Sequence, residues 1–272
     1  MRRFVQAFAS AQALPATFSD DICEALCALP DRYNISVRKH AGVVHHDADG
    51  LAVGDFRWGL VPRWSKEPDT KYTTVTARLD RAPASRIYRE AWRSRRCVIP
   101  MNGYYKWDRT TSPAIPHFIQ AQSGAVLLAA GLWEAWSKQE PPFNSFSILT
   151  YPNPAIPAPL VPDGPVFLPH DRWQKWITGE PWLPMLFLKG LRQPALEAYP
   201  VSRSVRDPDR DDYTLLEPVD PAELSRNEDD PDGFDEDDDD IDDRSIPFSM
   251  QRLHEPAAMV PLPLKSILGN PA

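Results

Sequence analysis

Residues 95–107 read RRCVIPMNGYYKW, and the fold is decided here. The apolar run CVIP and the aromatic run 103–107 both have the branched and aromatic composition of strands. Just upstream, Ser85 is placed to cap a helix over RIYREAWRSR that stops before CVIP. Downstream, residues 117–121, 126–132 and 146–150 repeat the strand composition. Further upstream, two runs at 43–45 and 51–58, joined across Asp49 and Gly50, predict a hairpin. Asp20 and Asp21 predict the start of a helix through ICEALCAL to Pro30, with Ile22, Ala25, Leu26 and Leu29 on one face. A third helix is expected over HDRWQKWI after Pro169, and a last strand over 198–202. The 30 prolines cut the chain into short elements. The expected class is therefore α+β, strand-rich with helices at the edges.

At 272 residues, with 42% hydrophobic content and 9 Trp, the chain can bury one full-sized core, which excludes collagen, coiled-coil and wholly disordered classes. The formal charge of -8, from 30 Lys+Arg against 38 Asp+Glu, argues at first against a nucleic-acid partner. Its distribution reverses that argument. Residues 227–243, NEDDPDGFDEDDDDIDD, hold 12 acids and no base, so the rest of the chain sets 30 bases against 26 acids, a balance of +4. Within 57–109 there are 13 bases against 5 acids, a local +8.

A domain over 1–218 is expected, then an acidic linker over 219–245 too charged to bury surface and hence disordered, and a C-terminal peptide over 246–272 that docks back on the domain or on a protein partner, or idles. No apolar run reaches the length of a bilayer span, so no membrane association is expected. The opening MRRFVQAFASAQALPA has a basic start, but Gln6, Ser10 and Gln12 interrupt its apolar middle, and no secretory signal is expected. Three cysteines are too few for a disulfide framework and predict a reducing, cytoplasmic setting. Cys23 and Cys27 lie one helical turn apart without His or Cys neighbours, which fits core better than metal. His45 and His46 point to opposite faces of a strand, so no metal and no cofactor is predicted. Phosphate-loop, HExxH and Gly-x-Ser-x-Gly signatures do not occur.

A series of spaced words remains: MRRF, RYN at 32–34, WGLVPRW at 58–64, TARLDR at 76–81, SRIY at 85–88, RRCVIPMNGYYKW and YPVSRSV. Together, and in this order to about residue 218, they resemble the SRAP family, the SOS response-associated peptidases that process abasic sites in single-stranded DNA. The resemblance implies a barrel-like core with peripheral helices and a role in the DNA damage response. It also implies four altered catalytic positions. The family opens Met-Cys-Gly-Arg-Phe, and its exposed cysteine captures the sugar aldehyde as a thiazolidine; here Arg2 replaces the Cys-Gly pair, and Met1 is expected to remain. Thr76 stands for the family's Asn, Lys106 for its catalytic Glu, and Val161 for its general acid/base His. Without thiol, carboxylate and imidazole, neither the thiazolidine nor the proton relay forms.

The family's DNA-holding groups survive better, at Arg3, Asn34, Trp64, Arg78, Arg86 and Thr150. By residue chemistry alone Trp64 also suits a core and the arginines suit surface ion pairs; the family placement and the local +8 favour a DNA surface. The resulting expectation is a monomeric, catalytically degenerate SRAP homologue that binds single-stranded or abasic DNA. One alternative is an enzyme with rewired chemistry, in which Lys106 or the Met1 amine forms a Schiff base; Lys106 instead suits a phosphate contact or a pair with Asp80. Another is a protein-interaction module that presents the tail and has lost DNA binding. The acidic run reads either as a solvated segment or as a phosphate mimic competing for the basic surface.

Overall fold

RRCVIPMNGYYKW supplies one strand to each of two sheets, and the chain crosses between them at Asn102. In the computed structural model, residues 1–69, 74–179 and 185–226 are described. The strands are β1 (Arg3–Gln6), β2 (Arg32–Ser36), β3 (His40–His46), β4 (Leu51–Trp58), β5 (Thr76–Arg78), β6 (Arg96–Met101), β7 (Gly103–Asp108), β8 (Ile115–Ala121), β9 (Leu127–Trp136), β10 (Phe143–Pro152), β11 (Asp163–Pro165) and β12 (Leu196–Pro200). The helices are α1 (Asp20–Cys27), α2 (Arg89–Ser94), α3 (Trp173–Thr178), α4 (Met185–Lys189) and α5 (Pro221–Arg226). One sheet has the order β12-β8-β7-β1-β2; the other runs β11-β10-β4-β3-β6-β9, with β5 also on β10. Because β9 pairs with β10 as well as β6, strands β10, β4, β3, β6 and β9 close into a ring that leaves none of the five as an edge. The strand-rich α+β barrel expected from sequence is the observed architecture.

Alternation along the strands sorts their side chains into two cores. Val44, Val98, Ala130, Leu132 and Leu149 pack with Ile22 and Leu26 of α1, Trp92 of α2 and Trp173 and Trp176 of α3. Their neighbours Val43, Cys97, Ile99, Ala129 and Ile148 pack with Phe4, Tyr104 and Ile119 of the other sheet. Polar joints fix the crossing. Asn102 donates its N–H to Val5 O (3.0 Å), accepts the Ala7 N–H at Oδ1 (2.8 Å) and donates Nδ2 to Ala7 O (3.1 Å). The buried Gln6 carboxamide donates to Gly42 O (2.8 Å) and Pro100 O (2.7 Å) and accepts the Gly42 N–H (2.8 Å), joining β1 to β3 and β6.

Several boundaries differ from the sequence expectations. Ser19, not Asp20 or Asp21, caps α1, accepting the Ile22 N–H; the two aspartates occupy the first turn, and the helix ends at Cys27. Ser85 caps a turn, accepting the Ile87 N–H, and α2 begins only at Arg89. The ordered chain also passes residue 218: Val219 N–H bonds Pro200 O (3.0 Å) and Arg203 Nη1 bonds Leu224 O of α5 (2.8 Å), so the start of the expected disordered linker is held to the domain. The acidic run and the 246–272 peptide lie outside the described residues.

Gly103 explains why the motif needs a glycine. A Cβ there would lie 2.3 Å from the Ile119 carbonyl oxygen and 2.4 Å from the Phe118 ring on the paired strand β8. Neither backbone nor a packed ring can yield cheaply. Gly103→Ala is expected to destabilise the domain by about 3 kcal/mol; a urea unfolding midpoint equal to the parent's would contradict this.

Candidate nucleic-acid interface

Strands β5, β10 and β11 lie side by side, in the registers Arg78↔Thr150 and Thr150↔Pro165, with Pro152 opposite Asp163. From the other sheet, Lys106 on β7 reaches across, and its ammonium donates to the Asp163 carbonyl at 2.7 Å. Arg78 sits beside it, with Nη1 3.7 Å from the Asp163 carboxylate and Nε 3.3 Å from that of Asp80. Asp80 thus pairs with Arg78. Below them the Tyr104 hydroxyl is buried without a hydrogen-bond partner among the described residues, and burial, reinforced by the Asp163 charge, holds it in the neutral form far above the ordinary phenol range. Gly164 fits over it: a Cβ would stand 3.2 Å from that hydroxyl and 2.6 Å from Ile156.

Of the four positions that the resemblance marks as altered, Lys106 is drawn into an Arg78–Asp163 cluster. Arg2 immediately precedes β1, which pairs with β7 through Phe4↔Tyr104 and Val5↔Gly103. Thr76 is in the next strand, its carbonyl accepting the Tyr88 hydroxyl at 3.1 Å. Val161 precedes Asp163 by two residues with 57% of its surface exposed, an aliphatic side chain facing water. The cluster is a guanidinium bracketed by two carboxylates, beside an ammonium that donates to a carbonyl, so its positive and negative charges are largely paired with one another.

The six DNA-holding candidates divide. Trp64 is 45% exposed, unlike the core tryptophans, and the Arg86 guanidinium lies 4.9 Å from its ring centroid. Arg78 is partly exposed in the cluster. Thr150 is buried between Arg78 and Pro165. Arg3 and Asn34 are buried and spend polar groups inside the protein. Arg3 Nη1 bonds Asn34 Oδ1 (3.2 Å) and Nη2 bonds Arg206 O (2.6 Å), while Asn34 Nδ2 serves Val205, Asp207 and Arg210 carbonyls (3.1, 2.9 and 2.8 Å). These two fasten the 203–210 segment to β1 and β2.

The local +8 is likewise broken up in space. Arg57 pairs with Asp69 at 2.5 Å and holds its carboxyl below the usual range, Arg89 and Arg93 flank Glu90, and Arg63 and Arg95 share Glu134. Arg96 is buried over Trp176 and bonds Gly179 O. Sequence reading missed Asp163 and Glu134. Asp163 carries no local signal, whereas Glu134 is detectable as the one acid inside the apolar run LLAAGLWEAW. Among the described residues no three His, Cys, Asp or Glu side chains gather into a metal site, and no helix is long and apolar enough to cross a membrane.

Comparison with known proteins gives a consistent answer. The SOS response associated peptidase (SRAP) family matches residues 2–208. Abasic site processing protein YoaM of Bacillus subtilis is 31% identical over 192 residues, covering 68% of this chain and 84% of the relative. Abasic site processing protein YMR114C of Saccharomyces cerevisiae is 31% identical over 140 residues, 51% of this chain and 35% of its own. A crystal structure from Bacteroides thetaiotaomicron superposes with a TM-score of 0.64 at 20% identity, covering 79% of this chain and 99% of the other, which supports the same fold.

The Asn34 network sets a clear expectation for stability. Asn34→Ala leaves three buried carbonyls and one arginine branch without this partner, and should cost about 3 kcal/mol. A lower urea midpoint at unchanged slope is the expected signature; an unaltered midpoint would mean the network contributes nothing net.

Proposed function

The chain belongs to the SOS response associated peptidase family, and from that premise we propose that it binds single-stranded DNA, including abasic sites, without the family's cysteine chemistry. The observation that carries this reading is the exposed Trp64 indole with the Arg86 guanidinium over its face. An aromatic face stacks on any base and an arginine beside it meets the phosphate chain, the combination that sequence-tolerant single-strand binding uses. Arg78, partly exposed between Asp80 and Asp163, adds a second cation for the backbone. The relatives' printed role in abasic site processing supports the substrate class.

Loss of chemistry is the finer part of the proposal. Lys106 and Val161 occupy the positions that the family resemblance gives to the catalytic carboxylate and imidazole. Lys106 Nζ is engaged with the Asp163 carbonyl, a contact that attack on an aldehyde would have to give up. We further place the protein in the DNA damage response, in a reducing compartment where Cys23, Cys27 and Cys97 stay as thiols.

Fluorescence anisotropy with a labelled oligo-dT tests the binding. Trp64→Ala should weaken affinity by about 5- to 100-fold, the range of one lost base stack, and the affinity of the parent should fall steadily with added salt. Equal affinity in parent and variant ends the reading. For the chemistry, borohydride treatment of the protein with an abasic oligonucleotide is expected to leave no covalent adduct. An adduct abolished by Lys106→Ala would instead establish the Schiff-base enzyme.

A further inference from the structure

The Trp64 indole projects from the connection that leaves β4 and returns as β5, and a connection that long is free to wander unless something fixes it. Here the paired strands β9 and β10 supply three anchors. Ser145 Oγ accepts the Val61 N–H at 2.8 Å, Trp136 Nε1 donates to Ser65 O at 2.9 Å, and Glu134 Oε2 accepts Arg63 Nε at 3.2 Å. Ser145 and Glu134 are cross-strand partners, and Trp136 lies two residues beyond Glu134, so all three rise from one face of the pair. Residues 61, 63 and 65 are held on either side of Trp64.

Glu134 is the unusual member of this set. Its side chain is 2% exposed, a placement that demands a neutralising partner, and Arg95 provides one with Nη2 2.7 Å from Oε1. Arg95 is itself largely buried, whereas Arg63 is 56% exposed. One buried guanidinium already balances the carboxylate. The second oxygen is then free to hold the loop, and Arg63 is the only residue of the pair whose position bears on Trp64.

We propose that Glu134 is a positioning residue for the Trp64 platform: its carboxylate, neutralised by Arg95, uses its second oxygen to fix Arg63 and thereby the neighbouring indole in the orientation that stacks on a base. The inference rests on the single-strand-binding reading above. Its strength is that two effects of removing the charge have opposite signs. Glu134→Gln deletes a negative charge beside Arg63 and Arg95, so Coulomb attraction alone would tighten binding of a polyanion. Loss of positioning weakens it.

The test compares oligo-dT affinity of the full chain for the parent, Glu134→Gln, Arg63→Lys, Trp64→Ala and the double variants with Trp64→Ala. Arg63→Lys keeps the charge on an exposed residue and removes the Nε contact, so it carries the test should Glu134→Gln fail to fold. Glu134→Gln and Arg63→Lys should each weaken binding several-fold and have no further effect once Trp64 is Ala. With 5-fluorotryptophan incorporated, the fluorine resonance lost in Trp64→Ala should move in both single variants. Unchanged or tighter binding by either folded single variant, or a loss that persists in full in the Trp64→Ala background, overturns the role of Glu134 while leaving the platform intact. Unchanged affinity in Trp64→Ala itself removes the platform, and the positioning role with it.

Discussion

The buried carboxamide of Gln6 is the constraint on which the two-sheet arrangement turns. Strand β1 is only four residues long and lies between β2 and β7, so its ladder bonds alone tie it to one sheet. Gln6 adds three bonds to the other, reaching Gly42 of β3 and Pro100 of β6. A buried amide that bonds through both its oxygen and its nitrogen specifies a single relative placement of the strands it joins, because any other leaves polar groups unpaired. Gly42 itself is crowded by α1 and the residues after it: a Cβ there would stand 2.6 Å from Leu29 and 3.1 Å from Leu26. Asn102 completes the arrangement where the chain passes from one sheet to the other.

Charge in this domain is largely paired with opposite charge. Six arginines from the basic middle of the sequence (Arg57, Arg63, Arg78, Arg89, Arg93 and Arg95) are shared out among Asp69, Asp80, Glu90, Glu134 and Asp163, and Arg96 is covered. Most of these exposed pairs add little stability. Such pairing thins the general attraction for polyanions, and the proposed binding therefore leans on local geometry, such as the stacked Trp64 and Arg86, more than on bulk charge.

How much was legible in the sequence follows from what kind of interaction fixed each part. The strands β6, β7, β9 and β10 are legible because branched and aromatic residues fill them densely, and one of the words that carry the family resemblance, RRCVIPMNGYYKW, spans β6 and β7. Strands β5 and β11 are not, since three residues such as DGP or TAR form a strand only by pairing with β10. The candidate DNA-holding residues divide by burial, with Trp64, Arg78 and Arg86 at least partly exposed and Arg3, Asn34 and Thr150 buried. Motif position cannot distinguish Arg3, committed to Asn34 and the Arg206 carbonyl, from Arg86, committed to an exposed ring, because the difference is made by a segment some 200 residues away. Asp163 was invisible for the same reason.

The grip that Gln6 and Asn102 exert on β1 lies downstream of Arg2, and the joints of β7 lie at Gly103 and in its pairing with β8, away from the Lys106 side chain. The backbone of β1 and β7 is therefore secured by residues other than Arg2 and Lys106. Such a scaffold behaves as a jig: reactive side chains are interchangeable parts. A lineage can discard or replace its reaction without first relearning how to fold, and a designer can do the same.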